Sequence, residues 1–310
     1  MFKRKFVKTR RDKRSYTGRF APSPSGPLHI GSLVCAVASF LDARANGGRW
    51  LVRIEDIDPP REQAGAADNI LKSLEQHDLL WDDQVLYQSS RSEAYRAALE
   101  DLQRAQLVYR CNCTRQRLKA LPGDYDNHCR QCPPAKDEPA ALRLNLSQIP
   151  ATHNGICFTD GIQGEQCWQI RSDGDFCVHR KDGLFAYQLA VVLDDIFQNI
   201  THVVRGADLL DATAKQIALF FAFDTDPPAY AHHPVITDTQ GRKLSKQNHA
   251  PALNLAAPQA NLIQACRFLG MDIGSEHLTQ KPSDILSWAI EHWDRARVPA
   301  TKSGMLPGLG

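Results

Sequence analysis

Gly18-Arg19-Phe20-Ala21-Pro22-Ser23-Pro24-Ser25-Gly26-Pro27-Leu28-His29-Ile30-Gly31-Ser32 decides how the rest of this chain is read. Three prolines stiffen a turn after a strand, and Gly26 and Gly31 let backbone approach a ligand closely. Downstream, Leu33, Val37, Phe40 and Leu41 recur at helical spacing until Gly47-Gly48, so the turn feeds a helix over about 28–46. A helix N-terminus offers unpaired N–H groups and the positive end of its dipole, and His29 adds a donor. This corner is a candidate phosphate site.

Working outward, Arg49-Trp50-Leu51-Val52-Arg53-Ile54 reads as a strand, and a second helical pattern runs from about Glu62 to His77. A third opens with Ser90 three residues before Glu93, the spacing of a capping box, and continues through Tyr95, Leu99 and Leu102. Helices alternating with short strands predict an α/β core with a parallel sheet. From Tyr109 to about Gly183 the texture changes: Cys, Pro, Gly and Asp increase and helical periodicity disappears, as in an inserted subdomain. The α/β texture returns at Tyr187-Gln188-Leu189-Ala190-Val191-Val192-Leu193. Thr201-His202-Val203-Val204-Arg205 reads as another strand, and Asp208 as the cap of a helix reaching Phe221. After Ala250 the chain reads as helices only, near 258–269 and 283–297.

The chain has 310 residues, 43% hydrophobic and 23% charged, which excludes disordered and collagen-like classes. No run of about 18 apolar residues exists to span a membrane. The formal charge of +2 hides an uneven distribution. Residues 1–14 carry eight basic side chains against Asp12, so the body is mildly acidic. No apolar segment follows this basic leader, so an export signal is not expected and a cytoplasmic location is. The leader reads as a disordered, solvated tail, with an arm touching nucleic-acid phosphates as the alternative. Nine cysteines, an odd number with four between 111 and 132, point to metal rather than to a disulfide framework. Among them Cys111, Cys113, Cys129 and Cys132 have CxC and CxxC spacing, which suits a tetrahedral zinc site, with His128 as another possible ligand.

A second basic motif, Gly241-Arg242-Lys243-Leu244-Ser245-Lys246-Gln247, is a loop able to close over a polyphosphate. Together the two motifs resemble the HIGH and KMSKS signatures of class I aminoacyl-tRNA synthetases, in their glutamyl/glutaminyl form. The fold implied is a Rossmann-like parallel-sheet catalytic domain over 15–250, with a zinc-bearing, acceptor-binding insertion at about 109–183 and a short helical, stem-contacting region over 251–310. The resemblance assigns His29, Lys243 and Lys246 to catalysis, and the same three with Gly31 and Ser32 to ATP. Ser32 is a departure, since the family has histidine there and serine carries no charge. A substrate carboxylate is already ionised at pH 7, so its attack on the α-phosphorus needs no general base. Positioning and neutralisation by lysine, backbone N–H and Mg²⁺ suffice.

The segment Arg53-Ile54-Glu55-Asp56 resembles the family's RIED stretch, Tyr187-Gln188-Leu189-Ala190 its YQLA and His202-Val203-Val204-Arg205-Gly206 its HVVRG. By that resemblance Glu55 takes the ammonium of L-glutamate, and Arg19, Phe20, Ala21, Pro22, Ser23, Tyr187 and Arg205 complete the glutamate pocket. A guanidinium is the natural reader of a second carboxylate, which makes Arg205 the residue that separates glutamate from glutamine. Asp208 lies in a segment near the adenosine in that family, so two roles stand for it.

The cysteine spacing is similar to that of the short paralogues of glutamyl synthetases, the glutamyl-queuosine tRNA(Asp) synthetases. There the ligand set maps onto Cys111, Cys113, Tyr125 and Cys129, with Cys132 a bystander and zinc structural. Only 63 residues follow Gln247, too few for the anticodon-binding domain of the full-length enzymes. Three readings follow. The first is a monomeric enzyme that activates glutamate with ATP and transfers it to queuosine at the anticodon wobble position of tRNA(Asp). The second is a conventional glutamyl-tRNA synthetase without anticodon reading, and the third a catalytically silent tRNA-binding paralogue. The intact ATP and glutamate constellation argues against the third. The zinc spacing and short C-terminus favour the first.

Overall fold

The computed structural model describes residues 15–121, 125–168, 174–238, 240–244 and 251–306. The basic tail 1–14 and Ser245, Lys246 and Gln247 of the second motif lie outside them.

Strand β1 (Thr17–Phe20) leads through the proline turn into α1 (Ile30–Ala45) and then β2 (Arg49–Ile54), which lies parallel to β1 with Gly18 opposite Trp50. Helix α2 (Ala66–Gln76) crosses to the short β3 (Leu86–Tyr87), parallel to β2, and α3 (Ser92–Arg104) follows. The expected capping box is absent. Arg91 occupies the N-cap without a side-chain cap bond, and the Ser90 hydroxyl donates instead to the Tyr87 carbonyl. A turn at 88–91 precedes the helix and moves its start beyond Ser90's reach.

The inserted segment holds β4 (Val108–Cys111), α4 (Arg115–Lys119), α5 (His128–Gln131), β5 (Ala141–Leu144), the hairpin β6 (Ile156–Asp160) and β7 (Gly164–Trp168), and β8 (Cys177–His179). Strands β4, β5 and β8 form an antiparallel sheet in that order. Cys157 and Cys167 stand directly opposite across the hairpin, Cα atoms 4.2 Å apart, and are disulfide-bonded. The cysteine count pointed away from bridges and missed this pair, because the register that apposes them is set by a turn rather than by Cys spacing.

The α/β core resumes with α6 (Tyr187–Phe197), β9 (His202–Gly206), α7 (Leu210–Ala222), β10 (Ala229–His233) and β11 (Val235–Thr237). Strands β9 and β10 are parallel, and the Thr201 amide donates to the Thr17 carbonyl at 2.9 Å, laying β9 beside β1. The parallel sheet β3-β2-β1 and the parallel pair β9-β10 thus lie side by side in one layer. Side chains alternate across it: Trp50, Val52 and Val204 join the core around α1, while Leu51 and Val203 join the core with α6 and α7. Cover on both faces explains the nearly continuous apolar run of β2. Helix α1 itself is enclosed, with Leu33, Val37 and Leu41 at 0% exposure.

Helices α8 (Pro258–Phe268) and α9 (Pro282–His292) pack on α1 within that first core. Asp42 of α1 accepts from Trp293 Nε1 at 2.9 Å and Arg295 Nε at 3.0 Å. The C-terminal region is not helices only. Strand β12 (Ser303–Met305) pairs parallel with β11, and its short polar sequence carries no alternation to announce it. Asp208 is not a helix cap either. A short turn at 207–209 precedes α7, Leu209 takes the N-cap, and the Asp208 carboxylate turns to Lys243.

Candidate active site and thiol cluster

The phosphate corner is built by a local hydrogen bond. His29 is the N-cap of α1 and its Nδ1 accepts from the Gly31 amide at 3.1 Å, so the ring proton belongs on Nε2. A Cβ at Gly31 would stand 3.0 Å from the His29 ring, so a side chain there would press on the residue that the corner positions. Gly26 lies at φ +133°, a conformation open to glycine.

One cavity of about 430 Å³ receives these groups. Arg19, Phe20, Ala21, Pro22, Ser23, His29, Gly31, Ser32, Glu55, Tyr187, Arg205 and Lys243 all line it, so the residues expected for glutamate and for ATP converge on one space. They come from β1, the proline turn, α1, the end of β2, the first residue of α6, β9 and the loop after β11. Asp208, for which the resemblance left a place near the adenosine open, also lines it, as do Cys35 and His233, which sequence reasoning did not place there. Lys246 lies outside the described residues.

At the β2 end, buried cations surround a carboxylate that the sequence did not single out. Arg53 Nη2 contacts Asp195 Oδ1 at 2.6 Å and Arg19 Nε reaches the same oxygen at 3.2 Å. Burial alone would raise the Asp195 carboxyl, but Arg19 and Arg53 hold it below the usual range. Arg19 therefore lines the cavity while part of its guanidinium is spent on Asp195. Glu55 differs: burial pushes it up to about 7, although Arg53 and Arg19 pull the other way. A carboxyl balanced there becomes a firm anion once a cation arrives beside it.

Arg205 is 2% exposed. Its Nε donates to His232 Nε2 at 3.0 Å and its Nη2 to Thr213 Oγ1 at 2.9 Å. Nη1 has no partner among the described residues. A buried guanidinium nitrogen left open at a cavity wall is equipped to take an oxyanion.

A second cavity of about 650 Å³ shares Ser23, Ser25, Glu55 and Tyr187 with the first and extends past Asp58, Arg61, Gln63, Cys177 and Arg180. The two spaces adjoin through these four residues.

In the insertion, Cys111, Cys113 and Cys129 bring their sulfurs within 4.8 Å of one another. The Tyr125 hydroxyl is 3.5 Å from Cys111 Sγ and 3.7 Å from Cys113 Sγ, and accepts the Cys129 amide at 2.8 Å. Cys132 is exposed and outside the group. Three converging thiols with a nearby phenol oxygen fit the tetrahedral donor set of zinc.

The family described as tRNA synthetases class I (E and Q), catalytic domain, matches residues 16–285. The chain belongs to this family. As such it is a ligase of the aminoacyl-tRNA synthetase type. It is 51% identical over 288 residues to the Glutamyl-Q tRNA(Asp) synthetase of Serratia proteamaculans (strain 568), covering 93% of both chains. It is 50% identical over 289 residues to that of Escherichia coli (strain K12), covering 92% of this chain and 91% of the relative. The glutamate-tRNA synthetase structure from Elizabethkingia anophelis shares the fold, with a TM-score of 0.78, 23% identity, and 95% of this chain against 68% of that one covered. No helix among the described residues is long and apolar enough to cross a membrane.

Proposed function

We propose that this chain activates L-glutamate with ATP in the cytoplasm and transfers it to queuosine at the anticodon wobble position of tRNA(Asp). The observation that carries this reading is the single cavity joining Glu55 and Arg205 to His29, Gly31 and Lys243. The relatives named Glutamyl-Q tRNA(Asp) synthetase support the choice of acceptor.

In the first step a glutamate α-carboxylate oxygen attacks the α-phosphorus of ATP and the bond to pyrophosphate breaks. Glu55 pairs with the substrate ammonium, Arg205 with the side-chain carboxylate, and Tyr187, Ser23 and the backbone of Phe20, Ala21 and Pro22 shape the space between. His29, the start of α1, Ser32, Lys243 and Lys246 hold the phosphates, with Mg²⁺ supplying further charge neutralisation when bound. In the second step a queuosine hydroxyl attacks the activated carbonyl carbon. AMP leaves with the electron pair of the cleaved bond, and the hydroxyl proton passes to phosphate or water. The adjoining cavity past Asp58 and Arg180 is where that hydroxyl would approach. Zinc held by Cys111, Cys113, Cys129 and Tyr125 would fold the insertion that walls this side.

The test charges labelled glutamate onto tRNA(Asp) with and without queuosine, and onto tRNA(Glu). Label confined to queuosine-containing tRNA(Asp) is expected. Label on tRNA(Glu), or on tRNA(Asp) lacking queuosine, would refute the acceptor.

A further inference from the structure

The Arg205 side chain is held by a chain of groups reaching into the inserted hairpin. His232 stands opposite Arg205 in the β9–β10 register, at 0% exposure. Its Nε2 accepts from Arg205 Nε at 3.0 Å, and its Nδ1 lies 2.5 Å from Asp160 Oδ2. Asp160 is the last residue of β6, and its other oxygen, Oδ1, accepts three main-chain amides: Ile162 and Gln163 in the hairpin turn and His232 itself, at 2.9–3.0 Å.

These bonds fix a tautomer. Arg205 Nε can only donate, so His232 Nε2 must be bare and the ring proton must sit on Nδ1. That proton needs an acceptor, which the carboxylate supplies. Burial lowers the affinity of His232 for a second proton, and the ring stays neutral. With His232 on Nε and Thr213 on Nη2, Nη1 is left facing no protein partner among the described residues. The Arg205 side chain also lies over the Tyr230 ring, 5.4 Å from its centroid, which leaves few alternatives for its orientation.

We infer that Asp160 and His232 are positioning residues for glutamate selection: they lock the Arg205 guanidinium so that Nη1 addresses the substrate's side-chain carboxylate. The inference rests on Arg205 reading that carboxylate. It adds that selectivity is set partly from the inserted hairpin, through a histidine tautomer that one carboxylate dictates.

The discriminating variant is Asp160→Asn. Three main-chain amides require an acceptor at the Oδ1 position, so the asparagine must keep its oxygen there and turn its NH₂ toward His232 Nδ1. The imidazole is then forced to carry its proton on Nε2, against Arg205 Nε–H, and two donors face each other. Asp160→Ala leaves the ring free to keep its tautomer and should be milder, although it removes more of the side chain. His232→Gln restores an acceptor near the Nε2 position, whereas His232→Leu does not.

The experiment measures glutamate-dependent ATP–pyrophosphate exchange with the full chain, taking KM for glutamate, KM for ATP and kcat separately, and repeats it with glutamine. Asp160→Asn should raise the glutamate KM by about tenfold or more, the size expected for a mis-set charged contact, and narrow the preference over glutamine. The ATP KM should stay within about twofold. His232→Gln should recover most of what His232→Leu loses. In the isotope-labelled unmodified protein, ¹⁵N shifts of His232 should show a proton on Nδ1 and a bare Nε2 at neutral pH, a reading independent of how the variants fold. An unchanged glutamate KM in Asp160→Asn, a parallel loss in both KM values and kcat, or a protonated Nε2 would overturn the inference. Arg205→Ala separates the two levels. If it keeps normal exchange, the role of Arg205 falls and this inference with it; if it is inactive while Asp160→Asn behaves as wild type, only the positioning role falls.

Discussion

Lys243 Nζ stands 2.5 Å from Asp208 Oδ2, tying the second lysine motif to the turn between β9 and α7. Both side chains are partly exposed, at 46% and 33%, and such a pair contributes no more than about 1 kcal/mol. A polyphosphate bearing several negative charges competes easily with one carboxylate. Asp208→Asn should therefore shift the ATP KM by no more than about fivefold. Lys243→Ala, which removes a cation from the developing charge on phosphate, should lower exchange by about a hundredfold or more. Equal losses in the two variants would show that Asp208 itself contacts the nucleotide.

Glu55 predicts a pH signature. Its carboxyl, pushed up to about 7 by burial, is protonated on the acid side and then cannot pair with an ammonium. The glutamate KM should rise as pH falls from 8 to 6, approaching tenfold per unit below about 7. Glutamate binding near pH 7 should release a proton, visible as a buffer-dependent heat. The stability of the free protein carries the opposite sign. The folded value lies above the unfolded one, so stability is present in acid and is lost as pH rises through about 7. Glu55→Gln should abolish both dependences, leaving a high, pH-independent KM. A wild-type KM that is flat between pH 6 and 8 would count against Glu55 as the ammonium partner.

For the thiol cluster, Arg143 links the proposed zinc ligands to the second cavity. Arg143 of β5 donates to Cys111 Sγ at 3.2 Å and lies 3.9 Å over the Tyr125 ring, and β5 pairs with β8, whose Cys177 lines that cavity. Chelation should lower the melting temperature and reduce transfer to tRNA more than pyrophosphate exchange. Cys132→Ser should retain about one zinc per chain by elemental analysis, Tyr125→Phe should weaken its retention, and Cys129→Ser should abolish it. Full zinc in Tyr125→Phe with loss in Cys132→Ser would reverse the assignment of the fourth ligand.

What the sequence made legible was local. The proline turn, the strand 49–54 and the position of Glu55 at its end depend on runs of a few residues. That His29, Tyr187 and Arg205 would share one space came only from the family resemblance of their segments. Pairings across the chain escaped. Asp195 is buried between Arg19 and Arg53, 176 and 142 positions away, and sits inside an apolar helical run where a carboxylate reads as solvent-facing. Asp160 and His232 meet across 72 positions, and neither belongs to a motif. The Cys157–Cys167 bond depends on hairpin register, and β12 on a partner strand 68 residues earlier. None of these has a local period, and each becomes visible only when burial leaves a polar group one available partner.

The two adjoining cavities make the two half-reactions separable by mutation. Arg180 lines the second cavity but not the first, and pairs with Asp58 at 3.4 Å and with Asp182 at 2.5 Å. If the acceptor enters there, Arg180→Ala should leave glutamate-dependent pyrophosphate exchange within about twofold of wild type. Transfer should fall by roughly tenfold to a hundredfold, the range for losing a hydrogen bond from a charged group. Single-turnover transfer from preformed glutamyl-adenylate isolates the second step. Arg53→Ala, which uncovers Asp195 beneath the first cavity, should damage exchange and transfer together, because a buried carboxylate losing one of its cations disturbs Arg19 as well. A loss of exchange in Arg180→Ala comparable to that in Arg53→Ala would mean that the second cavity serves activation, and that the acceptor approaches from elsewhere.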